Sequence, residues 1–175
     1  IVWSHPDPKV SHDADRLPDG NTIHVYGSYD VKTDAHVKEV NPDGEIVWAW
    51  YAKDHFDYAP YDEISFQGWT HTNAVTRLEN GNTLISLRNF QMIAEVDPGG
   101  EVVDTFEDIA RYPHDPEVLE NGNILVASQT PQVHAILEID RQTKEVVWRY
   151  DVTTERDNMP VRDCNRLPNG NTLIT

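Results

Sequence analysis

Residues 69–90 read WTHTNAVTRLENGNTLISLRNF, two runs of alternating apolar residues joined by Asn80-Gly81. An Asn-Gly pair between such runs is among the strongest short-range signals for a β-hairpin, because the turn needs positive φ. The motif is written three more times, as DADRLPDGNTIHV (13–25), DPEVLENGNILVAS (115–128) and DCNRLPNGNTLIT (163–175). Its glycines fall at 20, 81, 122 and 170, so the spacings are 61, 41 and 48 residues. In three copies a second strand pair follows: VKEVNPDGEIVWAW (37–50), IAEVDPGGEVVDTF (93–106) and ILEIDRQTKEVVWRY (136–150). Four short antiparallel strands per unit of about 40 residues make the blade of a β-propeller.

The expected fold class is therefore all-β, a propeller of four-stranded antiparallel blades, with repeats near 11–50, 70–106, 113–150 and 161–175. Trp3, Trp48 and Trp148 each follow a valine near the end of a fourth strand and are expected to fill the space between blades. Loops such as HFDYAPYDEISFQGW (55–69) account for the uneven spacings. The chain opens in what reads as a fourth strand and stops after a second. That gives about three whole blades plus parts of two others, in a single propeller segment of a longer chain. A closed ring needs 4–8 blades, so the missing ones are expected from further sequence or from a partner chain.

Thirty acidic residues face 14 basic ones, for a formal net charge of −16. Such a surface repels nucleic acid and anionic membranes, which makes both poor partners. Asp outnumbers Glu, and only five of the 14 basic residues are Lys. This acidic pattern suits a halophilic protein, whose self-repulsion is screened by salt. No stretch approaches the 18 apolar residues of a membrane span. The single cysteine, Cys164, excludes an internal disulfide and a cysteine-based metal cluster.

The first strand of each blade lines the channel of a propeller. Under a two-residue turn at Asn80-Gly81, paired residue numbers sum to 161, placing Asn73 opposite Arg88 and His71 opposite Phe90. Alternation then puts His71, Asn73 and Arg88 on one face at one end of the hairpin. Eight residues before each turn glycine stand His12, Asn73, His114 and Arg162. One per blade, these should ring the same rim and offer imidazole, amide and guanidinium groups suited to a tetrahedral anion. The aspartates after His12 and His114 are expected on the opposite face, tying down loops. His24, His36, His55 and His134 share no such offset and read as surface or packing residues.

W-x-H-x-N at Trp69, His71 and Asn73, followed by Ser-Leu-Arg ending at Arg88, resembles the aryl-sulfate sulfotransferases, which are propeller enzymes. The His-Asp pairs at His12 and His114 are similar to that family's other active-site histidines. The resemblance covers roughly residues 11–130 and implies sulfuryl transfer from a phenolic sulfate donor to a phenol acceptor. It implies neither a nucleotide sulfate donor nor any cofactor. By position it implies that His114 takes the group covalently. His12, His71, Asn73 and Arg88 would hold sulfate oxygens and manage the phenol proton. Arg162 in the fourth copy departs from the pattern and adds a candidate substrate-binding cation. An extracytoplasmic location, periplasmic or at the cell surface, is a further expectation from the resemblance.

Two other readings use the same repeats. One is a quinone-cofactor-type propeller, although the acidic metal-binding residues of such enzymes cannot be placed here. The other is a non-catalytic binding or assembly scaffold. A metal site built from His12, His71 and His114 is disfavoured because no close-spaced histidine pair exists.

Overall fold

The computed structural model describes residues 3–63, 67–130, 133–152 and 160–175. Among the described residues fourteen strands fall into sheets in simple sequence order. The first blade holds β1 (Ala14–Arg16), β2 (Thr22–Val25), β3 (Val37–Val40) and β4 (Ile46–Trp50). After the one-turn helix α1 (Lys53–Phe56), the second holds β5 (Thr72–Arg77), β6 (Thr83–Leu87), β7 (Met92–Val96) and β8 (Val102–Glu107). The third holds β9 (His114–Val118), β10 (Ile124–Gln129), β11 (His134–Ile139) and β12 (Val146–Val152). A two-stranded sheet follows, β13 (Cys164–Arg166) with β14 (Thr172–Ile174). All neighbouring strands are antiparallel. The fold is that of a β-propeller with four-stranded antiparallel blades. Ile1 and Val2 lie outside the described residues, and Trp3 belongs to no strand.

The second strand of each four-stranded blade is buried on both faces, and alternation distributes its side chains between two neighbours. Ile85 and Leu87 join Ile23, Val25 and Trp50 of the first blade in one core cluster. Leu84, on the other face of the same strand, joins Ile124, Val126 and Leu137 of the third. Leu125 and Ala127 then face Val161 and Cys164 beside the fourth sheet. The core is a series of inter-blade layers, so each blade is buried by the next.

The turns differ from the two-residue form expected of Asn-Gly. The Leu78 N–H donates to the Asn82 carbonyl, and the Gly81 N–H donates to the Leu78 carbonyl, enclosing three residues. Gly81 sits at φ +89°, the left-handed position that a three-residue hairpin loop requires. Leu17, Leu119 and Leu167 repeat the arrangement with Asn21, Asn123 and Asn171. Ala74 therefore pairs with Ser86 and Val75 with Ile85, one residue away from the expected register.

A clamp recurs where blades meet. The Arg16, Arg77 and Arg166 guanidiniums lie 4.3, 5.4 and 4.9 Å from the ring centres of Trp3, Trp48 and Trp148. Arg77 donates to Glu39 of the preceding blade at 2.6 Å, and Arg166 donates to Glu138 at 3.0 Å. Asn21 and Asn123, just after the turn glycines, donate to those same two glutamates. In the third blade Val118 takes the arginine's place and Asp104 the tryptophan's. There the second blade's Glu95 is paired with Arg141 instead. Trp48 and Trp148 pack in inter-blade clusters, as their position implies, whereas Trp3 meets His5, Arg16 and Pro42 beside the first blade.

Candidate active site

The inner strands carry a bulge at the same place. Between Thr72↔Leu87 and Ala74↔Ser86 the second blade has one extra residue, Asn73. The third has one between the pairs Ala127↔His114 and Leu125↔Glu117. In the fourth, the N–H groups of Arg162 and Asp163 both donate to the Thr175 carbonyl. Near the first-blade strand, Ser11 and Asp13 both pair with Val25, leaving His12 between them. His12, His71, Tyr112 and Asp115 occupy left-handed backbone conformations at φ 69, 48, 44 and 46°. A bulge breaks strict alternation and re-aims side chains, as bulges at channel rims do.

The result is a cavity of about 340 Å³ lined by His12, Asp13, Asn73, Ala74, His114, Asp115, Arg162 and Asp163. These are the residues eight and seven positions before each turn glycine. The aspartates following His12 and His114 thus share the cavity with them, contrary to alternation on a flat strand; the bulge is the reason. Asp13 also accepts from the Val75 N–H at 2.9 Å, tying the first inner strand to the second. Burial, a hydrogen bond that protonated Asp115 donates to the Asp163 carboxylate, and that group's charge raise the Asp115 pKa to about 8.

A second cavity of about 300 Å³ adjoins the first, lined by Arg88, Tyr112, Gln129, Thr130, His134, Pro160 and Arg162. Arg162 borders both. Arg88 is not strand-paired with Asn73, because β6 ends at Leu87 and a 3-10 turn, Arg88–Phe90, follows. Its guanidinium lies 4.6 Å from the Tyr112 ring centre and donates to the Gln67 side chain at 2.7 Å. Burial, and next the charge of Arg162, pull its pKa below the ordinary value. His134 is partly buried and lines this second cavity, as a surface residue can. His24 and His36 are buried, and His55 stacks on Trp50.

The histidines present defined faces. His114 is 2.7 Å through Nδ1 from the Tyr112 carbonyl, which can only accept, so Nδ1 carries the proton. Its Nε2 then keeps a lone pair, 3.2 Å from the Gln129 amide nitrogen. Gln129 reaches the ring although the strand partner of His114 is Ala127. The His71 Nδ1 lies 3.0 Å from the Gln67 carbonyl, which leaves its Nε2 unprotonated likewise. His71 and His12 have ring centres 4.9 Å apart, and His12 Nε2 is 3.1 Å from Ser28 Oγ. Burial, and then His71, Arg162 and Arg88, lower the His12 pKa to about 4. Burial dominates for His114 too, aided by Arg162, Arg88 and His12, and overcomes the Tyr112 hydrogen bond to give about 4. His71 is lowered, again first by burial. The three imidazoles are neutral at pH 7.

Asn73 is buried, and its Nδ2 donates to the Pro113 carbonyl at 3.0 Å across the blade junction. Sequence reasoning passed over Tyr112, although it stands two residues before His114 as His71 stands two before Asn73. Asp30, the other residue missed, lies in a loop with no local signal. Among the described residues no group of three or more His, Cys, Asp or Glu is arranged to hold a metal ion.

A propeller whose bulged inner strands turn two histidines, an asparagine and an arginine into one cavity is the class of protein defined here. The chain belongs to the arylsulfotransferase family, whose model matches residues 4–106. No curated protein matches it by sequence. Among solved structures it is similar to a protein of unknown function from Bacteroides caccae, with TM-score 0.62 and 19% identity over 92% of this chain and 54% of that one. It is also similar to a catalytically inactive virginiamycin B lyase variant from Staphylococcus aureus with quinupristin, with TM-score 0.63 and 11% identity over 98% and 51%. A WD40 β-propeller domain matches with TM-score 0.61 and 13% identity over 93% and 46%. These likenesses establish the fold alone. The chain spans about half the length of the solved structures it resembles.

Proposed function

We propose that the chain contributes the catalytic histidines of an aryl-sulfate sulfotransferase that moves a sulfuryl group between phenols through a sulfated His114. The observation that carries this reading is the fixed tautomer of His114: Nδ1 is held by the Tyr112 carbonyl, and a neutral Nε2 remains on the cavity-lining residue. In the first half-reaction Nε2 attacks sulfur, the N–S bond forms, and the S–O bond to the donor breaks with its electron pair leaving on the aryloxide. Positive charge developing on the ring is stabilised by the Tyr112 carbonyl. Arg162 and Arg88 stabilise the sulfuryl oxygens and the aryloxide, as pre-placed cations do without reorganisation. A covalent intermediate divides one difficult step into two.

In the second half-reaction an acceptor phenol, with pKa about 10, loses its proton to Nε2 of His71 as its oxygen attacks sulfur and regenerates His114. The neutral, depressed imidazoles suit nucleophile and base better than they suit oxygen-holding donors. Oxygen binding therefore falls chiefly to Arg88, Arg162 and the remaining N–H of Asn73. The phenolic donor and acceptor are the partners of this reaction. A transfer assay with an aryl sulfate and a second phenol tests it. Acceptor-dependent release of the first phenol, lost in His114→Ala, is expected. A folded full-length protein that never releases phenol would instead be a scaffold.

A further inference from the structure

One buried carboxylate outside the cavity organises the histidine side of the channel. Asp30, in the loop between β2 and β3, is fully buried. Its Oδ2 accepts from the Thr70 N–H at 2.8 Å and from the Thr70 hydroxyl at 2.8 Å. Its Oδ1 accepts from the His71 N–H at 3.1 Å, and its own carbonyl accepts from the Trp69 N–H at 2.9 Å. Three consecutive residues of the second blade are therefore hung on one residue of the first. Because the Thr70 hydroxyl donates to Asp30, it accepts from the Thr72 hydroxyl at 2.7 Å, extending the network into β5.

The opposite side of the carboxylate meets His36. That ring takes the Ala52 N–H on Nδ1 at 3.2 Å, so its Nε2 carries the proton, 3.2 Å from Asp30 Oδ2. The approach is off the hydrogen-bonding line, and Nε2 has no aligned acceptor, so the contact is electrostatic. Burial pushes the Asp30 carboxyl up, but His36 and the Thr70 donors outweigh it and hold the pKa below its ordinary value. The packing leaves no slack: a Cβ on Gly68 would stand 2.1 Å from Asp30 Oδ1.

His71 needs such a support. Its backbone is left-handed at φ 48°, a strained conformation for a non-glycine residue that persists only where the surroundings impose it. The ring is then aimed beside His12 with centres 4.9 Å apart. We propose that Asp30 is a positioning residue for His71, holding its strained backbone so that the imidazole of the second blade faces that of the first. It touches no reacting atom and acts through the Thr70-His71 peptide. The inference rests on the reading of His71 as a site residue in the transfer reaction.

The test is the titration of individual imidazoles by NMR in Asp30→Asn, with Thr70→Val as a milder variant that removes one donor to the carboxylate. The charges acting on His71 are Arg88 and Arg162, which lower its pKa, and Asp30, which raises it. Removing the Asp30 charge should lower the His71 pKa, while His114 in the third blade titrates as in the wild type. In the transfer assay kcat should fall about 10–100-fold with KM changed less than about threefold, the signature of misplaced reacting groups. Thr70→Val should shift both readouts in the same direction by less. Wild-type titration of His71 in folded Asp30→Asn would overturn the proposal, as would equal shifts of His71 and His114. If Asp30→Asn does not fold, an unshifted His71 in folded Thr70→Val overturns it. The titration needs no turnover. A selective His71 shift in a protein without transferase activity would therefore uphold Asp30 and refute the proposed reaction.

Discussion

Arg77→Ala tests how the blades are held in place around the channel. The side chain donates to Glu39 Oε2 at 2.6 Å and to the Gly81 carbonyl at 3.1 Å, and lies 5.4 Å from the Trp48 ring centre. The arginine and glutamate side chains are only 19% and 11% exposed. At an effective dielectric of about 20 the bare attraction at this distance is about 6 kcal/mol, most of it offset by desolvation. Breaking a fully buried pair costs about 3–5 kcal/mol, and an exposed pair about 0–1. Glu39 would keep the Asn21 amide at 2.6 Å, which softens the loss. The expected cost is therefore about 2–3 kcal/mol. Equilibrium urea unfolding of the full chain, followed by tryptophan fluorescence, should show a lower midpoint at unchanged slope. A double-mutant cycle with Glu39→Ala should give a coupling of about 1–2 kcal/mol. A cost below about 0.5 kcal/mol, or no coupling, would show that the clamp is solvated and that apolar layers alone hold the junction.

Arg88→Ala should slow transfer by about 10²–10³, the usual loss for one transition-state donor, in steady-state kinetics with an aryl sulfate. Because His12 and His114 titrate near pH 4 when folded, their stabilising contribution is present above pH 6.5 and is lost as pH falls towards 4. Asp115 has the opposite sign: its pKa of about 8 means stability is lost as pH rises towards 8. Between pH 6.5 and 8 melting temperature should fall in the wild type but not in Asp115→Asn. With a net charge of −16, melting should also rise from low to multimolar KCl if the acidic surface is a salt adaptation; a flat response would give the charge another origin.

The blade repeat was legible because each turn glycine, the Asn or Asp before it, the Asn after it and the alternating strands are local features. The register was not. An Asn-Gly pair looks the same in a two-residue and a three-residue turn, and the leucine that closes the loop at 17, 78, 119 and 167 carries no distinguishing chemistry. The bulges were also hidden, which is why Asp13 and Asp115 appear on the cavity side instead of the opposite face. The offset of His12, Asn73, His114 and Arg162 from the turns could be read directly, since all four blades carry the bulge at the same place. The clamp left a readable trace in the recurrence of Arg77 and Arg166 and of Glu39 and Glu138, which pair across blades. Asp30 left none: it reaches His71 from 41 residues away through a loop.

The most direct test of the central claim is the mass of the peptide containing His114 after the full-length protein meets an aryl sulfate without acceptor. The account predicts one added sulfuryl group on that peptide, absent in His114→Ala and discharged when a phenol is supplied. Phenol release with no modified peptide, or full turnover by His114→Ala, would contradict it.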